Sequence, residues 1–88
     1  MHYVYVLEST KGKKIYIGFT SDLKNRFELH NSGKVKSTKF YLPWKLVYYE
    51  AYLGKPDATK REKELKLHVA KNVLKKQIKY SLTGPMAK

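Results

Sequence analysis

The chain has no cysteine in its 88 residues. That excludes a disulfide framework, a Cys-ligated zinc site and a thiol nucleophile. Acidic residues are scarce: 7 Asp and Glu stand against 19 Lys and Arg, a formal net charge of +12. An acidic substrate partner is therefore expected, nucleic acid first and an anionic membrane surface second. No apolar run is long enough for a transmembrane helix. The opening His2-Tyr3-Val4-Tyr5-Val6-Leu7 lacks the basic region and small-residue cleavage site of a signal peptide, so the expectation is a cytoplasmic protein. Also missing are a Gly-rich phosphate loop, a paired-His metal motif and a credible Ser/His/Asp set.

What is present fits one small domain, expected over residues 1–80 with a loose tail from 81 to 88, and leaves no room for a cofactor domain. Residues 2–8 are β-branched and aromatic and predict a strand. Ser9-Thr10-Lys11-Gly12-Lys13 has turn composition, with Gly12 free to take positive φ, and Lys14 to Gly18 predicts the second arm of a hairpin. Asp22 suits the N-cap of a helix that Asn31-Ser32-Gly33 would stop, with Leu23 and Phe27 on one face and Arg26 and His30 on the next. A basic loop over 34–43 ends at Pro43, and Trp44 to Tyr52 predicts a third strand. Gly54-Lys55-Pro56-Asp57 predicts a turn with Asp57 as N-cap. A helix then follows with Ala58, Glu62, Leu65 and Val69 on one stripe. A last amphipathic stretch from Asn72 to Tyr80 turns Val73, Leu74 and Ile78 inward. The order β-β-α-β-α-α implies an α+β fold, a three-stranded antiparallel sheet flanked by helices.

Some polar groups sit where packing alone would not put them. Glu62 falls on an apolar stripe, where a carboxylate needs a cation or a metal; an ion pair with Lys66 is the plain alternative. Glu64 faces Lys60 and His68 and is expected to be solvated. Arg26 and His30, four apart, could hold a phosphate and move a proton, or be two exposed polar side chains. Most of the 8 tyrosines suit strands structurally. Tyr5 and Tyr16, near mid-strand in the hairpin, are placed to meet on one face. Gly18 lies two residues beyond Tyr16 on that face and leaves space for a ligand or another backbone, unless it marks a bulge or strand end.

Together these residues resemble the GIY-YIG nuclease family, particularly its small stand-alone bacterial members, which are similar to the N-terminal domain of an excision-repair nuclease. Tyr3-Val4-Tyr5 stands for the first motif and Tyr16-Ile17-Gly18 for the second. Asp22 to Gly33 looks like the family's arginine helix and Ala58 to Lys66 its glutamate helix. One Tyr-Ile-Gly is a weak signal; the ordered set is a strong one, and it spans residues 1 to about 80. Tyr3 departs from the family's glycine, and Phe19 stands where some relatives carry Lys.

The resemblance implies a metal-dependent endonuclease that hydrolyses DNA phosphodiester bonds, selective for DNA structure or weakly for sequence, with a role in repair or recombination. It implies Tyr5, Tyr16, Arg26, His30 and Glu62 as catalytic residues. Glu62 would be the protein ligand of Mg2+ or Mn2+, Arg26 would hold the scissile phosphate, and one tyrosine would activate water with help from nearby positive charge. Gly18 and Asn72 would shape the site. Lys34, Lys36, Lys39, Lys60, Lys63 and Lys71 would contact the phosphate backbone. The expected partner is DNA, with RNA as a further candidate, no membrane and no small-molecule cofactor; the oligomeric state is left open. The rival reading is an inactive basic module that binds DNA or RNA.

Overall fold

The computed structural model describes residues 1–11 and 14–82. Gly12, expected to turn the hairpin, lies outside the described residues, as does the expected tail beyond Leu82. The elements run β1 (His2–Ser9), β2 (Ile15–Thr20), α1 (Leu23–Asn31), a single 3-10 turn (Lys39–Tyr41), β3 (Trp44–Tyr52), α2 (Lys55–Leu65) and α3 (His68–Gln77). The three strands form one antiparallel sheet in the order β2-β1-β3. This is the expected α+β architecture.

β1 lies in the middle, which is why it is apolar on both sides. Side chains alternate between faces along a strand. Val4 and Val6 face one way and join Ile17, Ala58, Leu65, Leu74 and Ile78 in the larger core under α2 and α3. Tyr5 and Leu7 face the other way and join Trp44, with Tyr16, Leu23, Phe27 and Leu46 packed around them under α1. The sheet is thus a partition with a helix layer on each side. On β3 the register shifts opposite Val6 and Leu7: Val6 faces Tyr48 and Leu7 faces Leu46, leaving Val47 as the extra residue of a bulge.

The α1 boundaries follow their caps. Asp22 accepts a hydrogen bond from the Asn25 backbone N–H at 3.1 Å, and Gly33 takes φ 77° just past the helix, a region that favours glycine. Farther along, several expectations fail. Gly54, not Asp57, is the N-cap of α2, because Pro56 is tolerated within the first turn and lets the helix begin at Lys55; Asp57 sits inside that turn. The stripe does not extend to Val69: α2 ends at Leu65, and Val69 belongs to α3, where it is 74% exposed. The last helix starts at His68 rather than Asn72; it buries Leu74, with Ile78 buried just past its end, but leaves Val73 exposed. Leu82, assigned to the tail by sequence, is buried in the larger core.

Register places Gly18 directly opposite Tyr5. A methyl group at Gly18 would lie 2.4 Å from the Tyr5 hydroxyl oxygen and 2.5 Å from Cζ. The space that Gly18 leaves is filled by the Tyr5 phenol, not by a ligand, and Gly18 is neither a bulge nor a strand end. Because that ring is fully enclosed, Gly18→Ala is an overpacking change and is expected to destabilise the fold by roughly 1–3 kcal/mol. Urea denaturation measures it; wild-type stability in the variant would contradict the placement of the ring.

Candidate active site

Tyr5 enters the layer between sheet and α1 from the central strand. His30, in the last turn of α1, meets it from above. The Tyr5 hydroxyl lies 2.8 Å from His30 Nε2, and both residues are buried, at 1% and 0% exposure. On the other side of the ring, His30 Nδ1 lies 2.8 Å from Thr38 Oγ1. Thr38 is itself buried, and its hydroxyl donates to the Val35 carbonyl at 3.4 Å. A hydroxyl has a single proton to donate. Thr38 Oγ1 must therefore accept from Nδ1–H, which leaves Nε2 as the acceptor for the Tyr5 O–H. The result is a directed chain: Tyr5 to His30 to Thr38 to the Val35 carbonyl.

Arg26, one turn before His30 on α1, donates from Nε to the Tyr5 oxygen at 3.4 Å. Tyr16, on β2 beside Tyr5, closes the cluster. Its ring centroid is 4.9 Å from that of His30 and 6.1 Å from that of Tyr5. The i, i+4 pairing of Arg26 and His30 and the cross-strand meeting of the two tyrosines are as the sequence suggested. Arg26 is half-buried, and His30 is not a surface residue at all.

Electrostatics here differ from the sequence expectation. Burial pushes the Tyr5 phenol up to about 12, against the pull of the Arg26 hydrogen bond. Burial, with the Arg26 charge beside it, brings His30 down to about 4. His30 is therefore a neutral base at ordinary pH and contributes no positive charge to lower a phenol. Arg26 is held more firmly protonated, first by its hydrogen bond to Tyr5.

The residues left to the end of the chain sit on the opposite side of the sheet. Glu62 is on α2; its side chain is 21% exposed, and its Oε2 accepts from Lys66 Nζ at 3.0 Å. This is the ion pair that sequence offered as the plain alternative, and Glu62 is half-buried rather than enclosed. Its hydrogen bonds and ion pairs among the described residues do not reach Tyr5, Arg26 or His30. The rotation of α2 nevertheless gives it a direction. On a helix of 3.6 residues per turn, Arg61 and Glu62 flank the buried Ala58–Leu65 line on opposite sides. Arg61 reaches β3, so Glu62 faces toward β2, the edge strand that carries Tyr16 and Gly18.

What fixes that rotation is a cluster that sequence reading missed. Glu50 on β3 receives both Arg61 Nε (2.9 Å) and Nη2 (3.1 Å), and the Tyr48 and Tyr52 hydroxyls donate to its two oxygens. Burial works against the ionised Glu50 carboxylate, yet these four donors hold it below its usual range. The signal was in the sequence: Tyr48, Glu50 and Tyr52 alternate along one strand and so share a face. Thr38 was missed as well, inside a loop valued only for its lysines. Glu64 lies 3.6 Å from Arg61, not against Lys60 and His68. Asn72 is exposed on α3 and hydrogen-bonded to His68 at 3.2 Å. Lys34, Lys36, Lys39, Lys60 and Lys63 are exposed and Lys71 is half-buried. No group of three or more His, Cys, Asp or Glu among the described residues is arranged to hold a metal ion, and no helix among them is long and apolar enough to cross a membrane.

Comparison with known proteins matches residues 1–77 to the GIY-YIG catalytic domain. The chain is 40% identical to a UPF0213 protein of Staphylococcus epidermidis, over 84% of this chain and 90% of that one. It is 46% identical to a UPF0213 protein of Streptococcus agalactiae, over 68% of each. Among solved structures it is similar to the solution structure of a UPF0213 protein from Bacillus halodurans, at 35% identity and a TM-score of 0.55, over 98% of this chain and 89% of that one. The tyrosine pair, the arginine helix and the glutamate helix lie within the matched span, and the chain belongs to the GIY-YIG family.

Proposed function

We propose that the protein is an endonuclease that hydrolyses DNA phosphodiester bonds, with Tyr5, Tyr16, Arg26 and His30 around the scissile phosphate and Glu62 as the carboxylate for a divalent cation. The observation that carries this is the Tyr5 hydroxyl, which holds a neutral imidazole and a guanidinium at once. A purely structural tyrosine needs one partner, not a proton acceptor and a cation together.

A phenol held near 12 cannot hand its proton to bulk water at neutral pH. The chain from Tyr5 to His30 removes that difficulty. As the attacking water gives a proton to the Tyr5 oxygen, the Tyr5 proton moves to His30 Nε2, so no free phenolate forms. Thr38 keeps the ring in the tautomer this requires. His30 binds the proton weakly and gives it back to Tyr5 as Tyr5 passes its own proton to the departing oxygen or to solvent, which restores both groups. Arg26 has guanidinium N–H groups beyond the one on Tyr5 to grip phosphate oxygens and offset charge in the transition state. Tyr16 is half-buried and more open than Tyr5, and it orients the water or the phosphate beside His30.

A lone carboxylate suits Mg2+ or Mn2+, which keep several waters and take substrate phosphate oxygens; it does not suit a closed protein cage. Glu62 would be the protein ligand, displacing Lys66. When bound, the cation stabilises charge on the departing oxygen. Exposed Lys34, Lys36, Lys39, Lys60 and Lys63, with Lys71, bind the phosphate backbone without reading bases. DNA as substrate places the protein with the nucleoid in the cytoplasm, and branched or nicked DNA from repair or recombination is the substrate class that such sequence-blind binding favours.

Two outcomes follow. With plain, nicked and branched DNA and Mg2+, the wild type is expected to cut, Glu62→Ala to lose the metal-dependent cutting, and Tyr5→Phe to slow it by about 10²-fold or more. Cutting that survives both substitutions would place the chemistry elsewhere. The second outcome concerns pH. His30 is lowered from 6.5 to about 4 on folding, so the unfolded chain binds more protons between those values. Its neutral state therefore supports stability above pH 6.5, and that support is lost as pH falls toward 4. Melting temperature measured across this window should fall less steeply in His30→Gln; parallel curves would contradict a buried neutral imidazole.

A further inference from the structure

On the α1 side of the sheet, side chains cross from β1 to β2 in rows. Tyr5 stands opposite Gly18, and Leu7 opposite Tyr16. The pairing runs one row further, since the Ser9 backbone N–H donates to the Lys14 carbonyl at 2.9 Å. Side chains alternate along strands, so Ser9 and Lys14 share the face of Leu7 and Tyr16. The Ser9 hydroxyl agrees with that direction: it donates to the Tyr41 carbonyl, in the loop that follows α1. Lys14 is thus one row beyond Tyr16, roughly 7 Å along the strand, on the side away from Tyr5 and Arg26.

Lys14 is exposed, but its ammonium has a seat. Nζ stands over the Tyr41 ring, 5.3 Å from the centroid. The backbone that carries this ring is itself fastened. Thr10 N–H donates to the Pro43 carbonyl at 3.1 Å, and Trp44 Nε1 donates to the Thr38 carbonyl at 2.8 Å. Thr38 is also the partner of His30 Nδ1. The loop is therefore tied to the hairpin at one end and to the proposed reaction centre at the other. No acidic residue occurs between Glu28 and Glu50. Glu8, the acid nearest to Lys14 in sequence, stands opposite Ile15 on the other face and pairs with Lys45 at 3.8 Å. Lys14 makes no ion pair among the described residues. A seated ammonium without a carboxylate, in line with Tyr16, is open to an anion from outside the chain.

We infer that Lys14, steadied by Tyr41, binds a backbone phosphate beside the scissile one, on the Tyr16 side. The inference rests on the scissile phosphate lying at Arg26. Arg26 and Lys14 then bracket Tyr16, and a strand laid along β2 meets both cations. β2 is an edge of the sheet, so no further strand closes that path. The contact is with charge rather than with bases, so it adds affinity without sequence preference. Tyr41 is a positioning residue here, because it touches Lys14 and not the substrate.

The test measures binding in EDTA, where metal-dependent cutting is absent. The probe is a 5′-phosphorylated thymidine trinucleotide, compared with the same molecule carrying uncharged methylphosphonate linkages. NMR titration at low salt gives both affinities for the wild type, Lys14→Gln, Tyr41→Phe, Tyr41→Leu and Lys76→Gln. The last removes an equal charge from an exposed position on α3. The wild type, Lys76→Gln and Tyr41→Phe should favour the charged linkages about tenfold. Lys14→Gln should lose most of that preference, and Tyr41→Leu part of it, while both bind the neutral probe as the wild type does. No preference in the wild type, an undiminished one in Lys14→Gln, or an equal loss in Lys76→Gln overturns the phosphate contact. Equal losses in Tyr41→Phe and Tyr41→Leu overturn the steadying by the ring. A preference that needs Lys14 in a protein that cuts no DNA would sink the nuclease reading and leave the phosphate site standing.

Discussion

The hydrogen bond from the Tyr5 hydroxyl to His30 Nε2 ties the central strand to the last turn of α1, and the site is organised around it. Arg26 also donates to the phenol oxygen and Thr38 takes the other imidazole nitrogen, but among the described residues the Tyr5 proton and His30 Nε2 pair with each other. A buried phenol and a buried imidazole without partners would each carry a penalty of roughly 1–3 kcal/mol. Gly18 is small because the Tyr5 ring needs its space, and Thr38 is buried because His30 Nδ1 needs an acceptor. Asp22 and Gly33 set where α1 begins and ends, and so which of its residues reach the sheet. One contact thus explains choices on β1, β2, α1 and the loop after it.

The second constraint lies across the sheet. A carboxylate inside a helix–sheet interface is tolerated at Glu50 because four donors converge on it. Arg61 is spent there, and its neighbour Glu62 is thereby turned toward β2. Adjacent charged residues on one helix are held differently, Arg61 locking α2 to β3 and Glu62 paired with Lys66 on the other flank. The phenols, imidazole and guanidinium thus belong to one layer and Glu62 to the other.

Much of this was legible in the sequence. The three strands, the cap at Asp22 and the meeting of Tyr5 with Tyr16 follow from alternation and turn chemistry, which are local. The errors came where a decision depended on partners distant in sequence. The Ala58-Glu62-Leu65-Val69 stripe is a faithful periodicity, but the helix breaks after Leu65, so Val69 starts a new element with a new phase. Of the expected inward set, Leu74 and Ile78 are buried as read, while Val73 is exposed. Periodicity could not show that Arg26 and His30 differ so much in burial, because that depends on what lies beneath each residue. Nor could spacing reveal that proximity to Tyr5 leaves the histidine neutral, since burial and the Arg26 charge act together only in the folded chain.

The proposed chemistry depends on a neutral His30 with its proton on Nδ1, accepting from Tyr5. Nitrogen-15 NMR of the imidazole at neutral pH tests this most directly. The predicted result is a protonated Nδ1 and an unprotonated, hydrogen-bonded Nε2, with coupling to Nε2 altered in Tyr5→Phe. An imidazolium signature, or a proton resident on Nε2, would contradict the directed chain on which the proposed chemistry stands.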